Sequence, residues 1–265
     1  MSVDILIPVH GRYDLLEKCL NSIPEAFSET SYRVYIYDNN TPMDYNEKER
    51  FYSPFDAKVS LGKQNIGFPL ACNALARRGK GKYIFLLNSD VILDPGSGDV
   101  LANYLAENED VGVVGMKLLF PDDVAGEDAN IRPSGKVQHV GISIDINARP
   151  HHIFVGWSGD NPKTKGVIEP VAVTGAALMT RRSLWNKTRG LDSLYGHGTF
   201  EDVDYCLSVK KMGYRIIVPT QAQAVHYTGA STTEETPFPL QYNLQLFHQK
   251  WGGSKELAWS DGELL

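Results

Sequence analysis

Residues 82–87, Lys-Tyr-Ile-Phe-Leu-Leu, run directly into Asn88-Ser89-Asp90. In an extended chain, an amide and a carboxylate two residues apart point to the same side. Hard divalent cations take oxygen ligands and often keep substrate phosphates in their shell. The triplet therefore suits a cation with its phosphate ligand. It equally suits a polar turn, since Asn, Ser and Asp are ordinary turn residues. A second acidic pair, Glu201-Asp202, opens a helical pattern. Carboxylates there can satisfy the first helical N–H groups, and the positive helix end lowers their pKa.

Positioning these residues requires a scaffold. The apolar run at 83–87 reads as a strand buried on both faces, as in a parallel sheet. A first strand over 3–9 is apolar nearly throughout, with Pro8 near its end, where a missing donor is tolerated. Residues 32–37 give a second strand, stopping at Asp38-Asn39-Asn40, and 57–61 a third. Helical periods fill 13–23, closed by Pro24, and 45–51 and 68–78. Strand–helix alternation with short loops predicts a parallel, doubly wound sheet. Strands one, two and four then bring His10-Gly11-Arg12, Asp38-Asn39-Asn40 and Asn88-Ser89-Asp90 to one rim, where open α/β sheets bind ligands.

Past Pro95 the pattern changes. The periods predict a helix over 98–107 and a strand over 111–120, then an Asp-, Gly- and Pro-rich loop over 121–133. Residues 136–146 alternate weakly, and 147–166 read as a long surface excursion of the kind that forms lids or binding loops. Strands follow over 167–173 and 176–180, a short helix over 181–187, and the helix from Glu201 to the stop at Gly213. Strands at 214–218 and 222–225 come next, the second ending at His226. A last helix over 238–251 carries Leu240, Leu244, Phe247 and Trp251 on one stripe.

The 265 residues suffice for one sizeable core. A net charge of −6 and a pI near 5.7 argue against a nucleic-acid partner. Three cysteines, Cys19, Cys72 and Cys206, lie in helical patterns with no C-x-x-C pair. They predict free core thiols in a reducing compartment, without a disulfide framework or zinc site. No basic leader with a long apolar stretch opens the chain, and no apolar run reaches the ~18 residues of a membrane span. The expected location is cytoplasmic, with peripheral membrane contact through Trp251 and Trp259.

Four blocks recur in one order: Ile5-Leu6-Ile7-Pro8-Val9; Asp38-Asn39; Asn65-Ile66-Gly67-Phe68 with Asn73, then Leu87-Asn88-Ser89-Asp90; and Phe200-Glu201-Asp202-Val203-Asp204 followed by Gly213-Tyr214 and Val225-His226. In these blocks the chain resembles the family-2 glycosyltransferases, which have the A-type nucleotide-sugar transferase fold (GT-A). Gln138-His139-Val140-Gly141 and Thr174-Gly175-Ala176-Ala177 resemble the rhamnosyltransferase-like branch. The resemblance covers about residues 3–229. It implies an α/β, Rossmann-like fold with a mostly parallel central sheet and a mixed C-terminal part. The implied catalytic domain is 1–230, with a donor-binding half at about 1–120 and an acceptor half at about 121–230. Residues 231–265 are then a C-terminal helix and tail packed on it.

The resemblance further implies inverting transfer of a sugar from a UDP- or dTDP-linked donor to an acceptor hydroxyl of a glycan or lipid-linked sugar, with Mn²⁺ or Mg²⁺ on the diphosphate. Asp90 is then the direct metal ligand, and His226 completes its shell. Asn88 stands where the family often has a second Asp, leaving one charge fewer and a contact to ribose or a metal-bound water; Ser89 lies between them at the nucleotide. Asp38 grips the nucleobase, since a carboxylate can accept from a pyrimidine N3–H. Pro8, His10 and Arg12 line the neighbouring rim, and Asn65 and Gly67 sit in the loop passing the nucleotide. Asp202 is the base for the acceptor hydroxyl, and Glu201 holds acceptor hydroxyls. Gly175 and Ala176 leave room for the donor sugar, and Trp157 stacks on an acceptor sugar. Two other readings stand beside this one: a catalytically silent nucleotide- or sugar-binding module, and a sugar nucleotidyltransferase. The latter needs a Gly-rich basic loop after the first strand, where only Gly11 and Arg12 occur.

Overall fold

The computed structural model describes residues 1–123, 134–228 and 239–257. Its strands are β1 (Ser2–Val9), β2 (Ser31–Asp38), β3 (Ala57–Leu61), β4 (Tyr83–Leu87), β5 (Val91–Leu93), β6 (Val111–Gly115) and β7 (Lys117–Leu119). They continue with β8 (Val137–His139), β9 (Ile142–Ile144), β10 (Pro150–His152), β11 (Val167–Ile168), β12 (Ala177–Arg181), β13 (Arg215–Pro219) and β14 (Gln223–His226). Eight of them form one sheet in the order β3-β2-β1-β4-β12-β6-β13-β11. The β1, β2, β3 and β4 strands run parallel, whereas β12 enters antiparallel between β4 and β6. The expected parallel half and mixed C-terminal part are both present.

The period of two along β1 divides its apolar residues between two cores. Val3, Ile5, Ile7 and Val9 join the helices Tyr13–Ala26 and Ser97–Glu107 on one face. Leu6 packs on the other, with the helices Phe68–Ala76 and Glu201–Lys211 and with Phe247 and Trp251. Each fully buried Leu, Ile or Val contributes roughly 1.5–3 kcal/mol. Cys19, Cys72 and Cys206 are free and buried, as expected.

Several local expectations change. The strand expected over 111–120 breaks at Met116: β6 stays in the large sheet, while β7 joins a second one ordered β5-β14-β7-β8. An apolar run carries no mark of which sheet each half joins. The helix expected to close at Pro24 continues to Ala26: proline gives up only its own N–H bond, and the Phe27 N–H still closes the turn on Ile23 O at 3.0 Å. The excursion at 147–166 includes β10, paired with β9. The strand expected over 167–173 is only β11; beyond it Ala172 bridges to Ile142.

The last helix, Leu240–Trp251, buries Phe247 and Trp251 of the expected stripe, but its first turns put Asn243 inward while Leu240 is exposed. Trp251 donates through Nε1 to Asp204 Oδ1 at 2.6 Å. It is therefore a core residue and not a membrane contact; Trp259 lies outside the described residues, as does most of the loop over 121–133. Among the described residues no helix is long and apolar enough to cross a membrane.

Candidate active site

The carboxyl ends of β1, β2 and β4 open on a cavity of about 520 Å³. Pro8, Val9 and His10 reach it from β1, Asn39 from just past β2, and Asn88, Ser89 and Asp90 from just past β4. The loop before the Phe68–Ala76 helix adds Asn65 and Gly67, and the turn before β12 adds Thr174, Gly175 and Ala176. The start of the Glu201–Lys211 helix closes it with Glu201 and Asp202, and β14 ends in it at His226. Twelve residues named from sequence thus come together. Gly67 has to be glycine: its φ is +80°, and a Cβ there would run into the backbone carbonyl of Gly196.

Three named residues stand elsewhere. Asp38 is fully buried, and four donors occupy its oxygens. Lys48 Nζ (3.0 Å) and the Thr41 N–H (2.9 Å) donate to Oδ1, and the hydroxyls of Tyr13 and Tyr52 donate to Oδ2. The carboxylate expected to grip a base instead ties the end of β2 to its neighbours. Arg12 is held by Asp14 at 2.7 Å, outside the cavity lining. Trp157 packs edge-on against Phe154, centroids 5.0 Å apart, also outside it.

Asn39, beside Asp38, does more at the cavity. Its Oδ1 accepts from the Ile66 N–H at 2.8 Å and its Nδ2 donates to Gly67 O at 3.4 Å, pinning that loop. His10 approaches Asn39 O through Nδ1 at 3.0 Å.

The acidic pair sits on backbone that resists its own conformation. Thr199 and Phe200 have φ of +87° and +70°, a region costly for residues with a side chain. Asn243 of the last helix holds the turn. It donates through Nδ2 to the carbonyls of Tyr195 (2.9 Å), Gly198 (2.6 Å) and Thr199 (3.2 Å). Asp202 accepts from the Gly175 N–H and the Val203 N–H, both at 2.8 Å. A Cβ on Gly175 would crowd the Phe68 ring at 3.2 Å and touch Asp202 Cβ at 3.4 Å, so a small residue suits this turn. Glu201 is buried, and its Oε2 has no hydrogen-bond partner.

Burial pushes the Glu201 carboxyl up to about 8, helped by repulsion from Asp202. Asp202 is open to the cavity on one side, yet desolvation raises its pKa too, against the N–H groups that lower it. The reduction expected from the helix end is thus reversed: removing water from a carboxylate outweighs two or three well-placed donors. A raised carboxylate is the stronger base, and an unpartnered buried oxygen is a place for a hydroxyl to donate.

Elsewhere on the lining, Asp90 Oδ1 lies 3.3 Å from His226 Nε2. His226 Nδ1 meets Gln138 Oε1 at 2.6 Å. Among the described residues no three or more His, Cys, Asp or Glu side chains cluster to hold a metal by themselves. Two protein ligands are nevertheless a fitting share for a Mg²⁺- or Mn²⁺-type cation, which takes its other ligands from water and phosphate. A carboxylate oxygen and an imidazole nitrogen side by side at the cavity surface are such a pair.

A histidine pair escaped sequence reading. His139 and His152 face each other Nδ1 to Nδ1 at 2.8 Å, and the Thr174 N–H donates to His139 Nε2 at 3.3 Å. Burial lowers His139 well below the usual histidine value; His152 is exposed as a residue, yet desolvation of its ring and repulsion from His226 lower it to about 4, so both are neutral near pH 7. The only available signal was the recurring Gln138-His139 block. Asn243 gave none, being one polar residue within an apparent apolar stripe.

Comparison with known proteins follows the same lines. A family model described as glycosyl transferase family 2 matches residues 4–186. The O-antigen biosynthesis protein RfbC of Myxococcus xanthus is 25% identical over 264 residues, which is 96% of this chain and 19% of that protein. The y4gI protein of Sinorhizobium fredii is 26% identical over 246 residues, 89% of this chain and 25% of that one. The chain thus spans a fifth to a quarter of the length of these curated relatives.

Among solved structures, GalNAc-T7 with UDP, GalNAc and Mn²⁺ superposes with a TM-score of 0.74 at 12% identity, covering 95% of this chain and 49% of that one. The mannosyltransferase PcManGT from Pyrobaculum calidifontis with GDP-Man and Mn²⁺ gives 0.58 at 16%, covering 86% and 57%. Residues 1–349 of S. aureus TarS in complex with UDP give 0.56 at 14%, covering 85% and 60%. At such identities the likeness is one of fold.

Proposed function

This chain belongs to glycosyl transferase family 2, and on that premise we propose that it moves a sugar from a UDP- or dTDP-linked donor to an acceptor hydroxyl, with inversion. The observation that carries the reading is the meeting of two acidic stations in one cavity. Asp90 with His226 and Glu201 with Asp202 all line it.

Each station has a task. Asp90 and His226 hold a divalent cation, Mn²⁺ or Mg²⁺, which when bound offsets charge on the departing diphosphate. Asn88 and Ser89 sit beside them, at the ribose and phosphate end of the donor. Asp202 takes the proton of the acceptor hydroxyl as that oxygen bonds to the anomeric carbon. The bond from that carbon to the diphosphate breaks, and the nucleoside diphosphate leaves. One base and one displacement give inversion. The free Glu201 Oε2 accepts a second hydroxyl of the acceptor and orients it. Gly175 and Ala176 leave space between the stations for the donor sugar. The proposed acceptor is a glycan or lipid-linked sugar, in keeping with the O-antigen relative.

The choice of a pyrimidine base is supported by the family resemblance. Asp38, its oxygens occupied by four donors, adds nothing to that choice. Calorimetry with UDP, dTDP and GDP, each with and without Mn²⁺, tests the whole reading. The expected result is Mn²⁺-dependent binding of a pyrimidine diphosphate. Preference for GDP would overturn the donor class, and binding of none by folded protein would return the chain to a silent module.

A further inference from the structure

We propose that Gln138 is a positioning residue for the cation station: it fixes the tautomer of His226 and so aims a lone pair at the space beside Asp90. The proposal rests on the reading that Asp90 and His226 hold the cation. Gln138 lies in β8 and is buried. In the sheet order β5-β14-β7-β8, β7 separates it from β14, yet its side chain reaches across to His226 at the end of that strand. Its Nε2 donates to the His226 backbone carbonyl at 2.9 Å, and its Oε1 lies 2.6 Å from the His226 ring Nδ1. Both ends of one amide are therefore spent on a single residue 88 positions away.

The orientation follows from hydrogen-bond chemistry. A backbone carbonyl only accepts, so the nitrogen end of the amide must face it. The oxygen end is then left facing His226 Nδ1, which must carry a hydrogen to donate to it. In the neutral ring the lone pair therefore falls on Nε2, the atom 3.3 Å from Asp90 Oδ1. A lone pair facing a carboxylate oxygen is repulsive unless a positive species lies between them. The geometry is that of a two-ligand cation site whose ring has been set by an outer partner, an arrangement such partners commonly serve. Thr228 Oγ1, 3.5 Å from the same Nδ1, is too distant to replace Gln138. A buried amide in a sheet otherwise costs free energy relative to an apolar residue; here, among the described residues, both of its hydrogen-bonding contacts serve His226.

Two measurements test this. In the wild type without metal, long-range ¹H–¹⁵N spectra at mildly alkaline pH should show His226 protonated on Nδ1, the tautomer that free histidine disfavours. The hydrogen on Nε2 would overturn the proposal, whatever any variant does. Second, Mn²⁺ binding in the presence of UDP, followed by electron paramagnetic resonance, should weaken roughly tenfold or more in Gln138→Leu, with the variant's circular dichroism unchanged. Equal Mn²⁺ affinity in variant and wild type would overturn the role of Gln138 while leaving Asp90 and His226 as ligands. Failure of the wild type itself to bind Mn²⁺ with UDP would overturn the cation reading, and this proposal with it.

Discussion

Asp38 and Glu201 make an instructive pair. Both are buried carboxylates beside the same cavity, one at a strand end and one at a helix start. Asp38 receives four donors, including the ammonium of Lys48. Glu201 keeps one oxygen with no partner and a pKa raised by burial. Asp204 behaves like Asp38, receiving Lys250 Nζ at 2.7 Å and Trp251 Nε1 at 2.6 Å. Asp202 and Asp90 share with Glu201 a place on the cavity lining, Asp202 with two N–H donors and Asp90 beside His226. Burial alone does not separate architecture from chemistry. The number of donors that reach the carboxylate does, because an unsatisfied buried group is expensive and persists where it is used.

That contrast can be broken at either end. The largest effect is expected at Asp202→Asn. Transfer should fall by about 10²–10⁴-fold, read as nucleoside diphosphate released, while donor affinity by calorimetry stays within about twofold of wild type, well under 1.4 kcal/mol. Near wild-type turnover would remove Asp202 from the base role and put it among the structural acids.

Lys48→Met attacks the other set. It leaves the Asp38 charge buried without its cation, and breaking such a pair costs about 3–5 kcal/mol, or roughly 10 °C in melting temperature for a domain of this size. Thermal and urea unfolding measure it; an unchanged melting temperature would mean that the three neutral donors suffice.

The effect of Glu201→Gln should depend on pH. The folded-state pKa of Glu201, about 8, lies above the ordinary 4.5, so between these values the folded protein holds a proton that the unfolded chain has lost. The stability this contributes is complete below about pH 4.5 and is lost as pH rises through about 8. Glutamine never ionises. The variant should therefore melt with the wild type near pH 5 and well above it near pH 9, by up to about 5 kcal/mol at roughly 1.4 kcal/mol for each pKa unit of the shift. Parallel melting curves at both pH values would show that Glu201 is solvated like a surface acid.

The residues of the rim were legible in sequence because each followed an unmistakable buried strand. Pro8, Asn88 and Asp90 needed only the rule that ligands meet parallel strands at their carboxyl ends. The helix start at Glu201 and Asp202 could be read from the period that follows, while their role rested on the family resemblance; the direction of their pKa shift could not be read, because helix-end electrostatics are local but burial requires the whole fold. Arg12 and Trp157 carried suitable chemistry in suitable segments, yet one is paired with Asp14 and the other with Phe154. What Gln138 and Asn243 do was hidden for the opposite reason, since each acts on residues dozens of positions away.

By itself the sequence determined the parallel half of the sheet, its polar rim and the order of the acidic stations. Period, strand length and turn residues are local properties that a single segment carries. Tertiary structure decided where the 111–120 run divides between two sheets, which residue the first turns of the last helix put inward, and which carboxylates remain available. Those outcomes depend on donors and packing surfaces brought from distant elements: Lys48 and two tyrosines to Asp38, Gln138 to His226, Asn243 to the strained turn before Glu201. A carboxylate looks the same in sequence whether four donors reach it or none; only folding brings the donors.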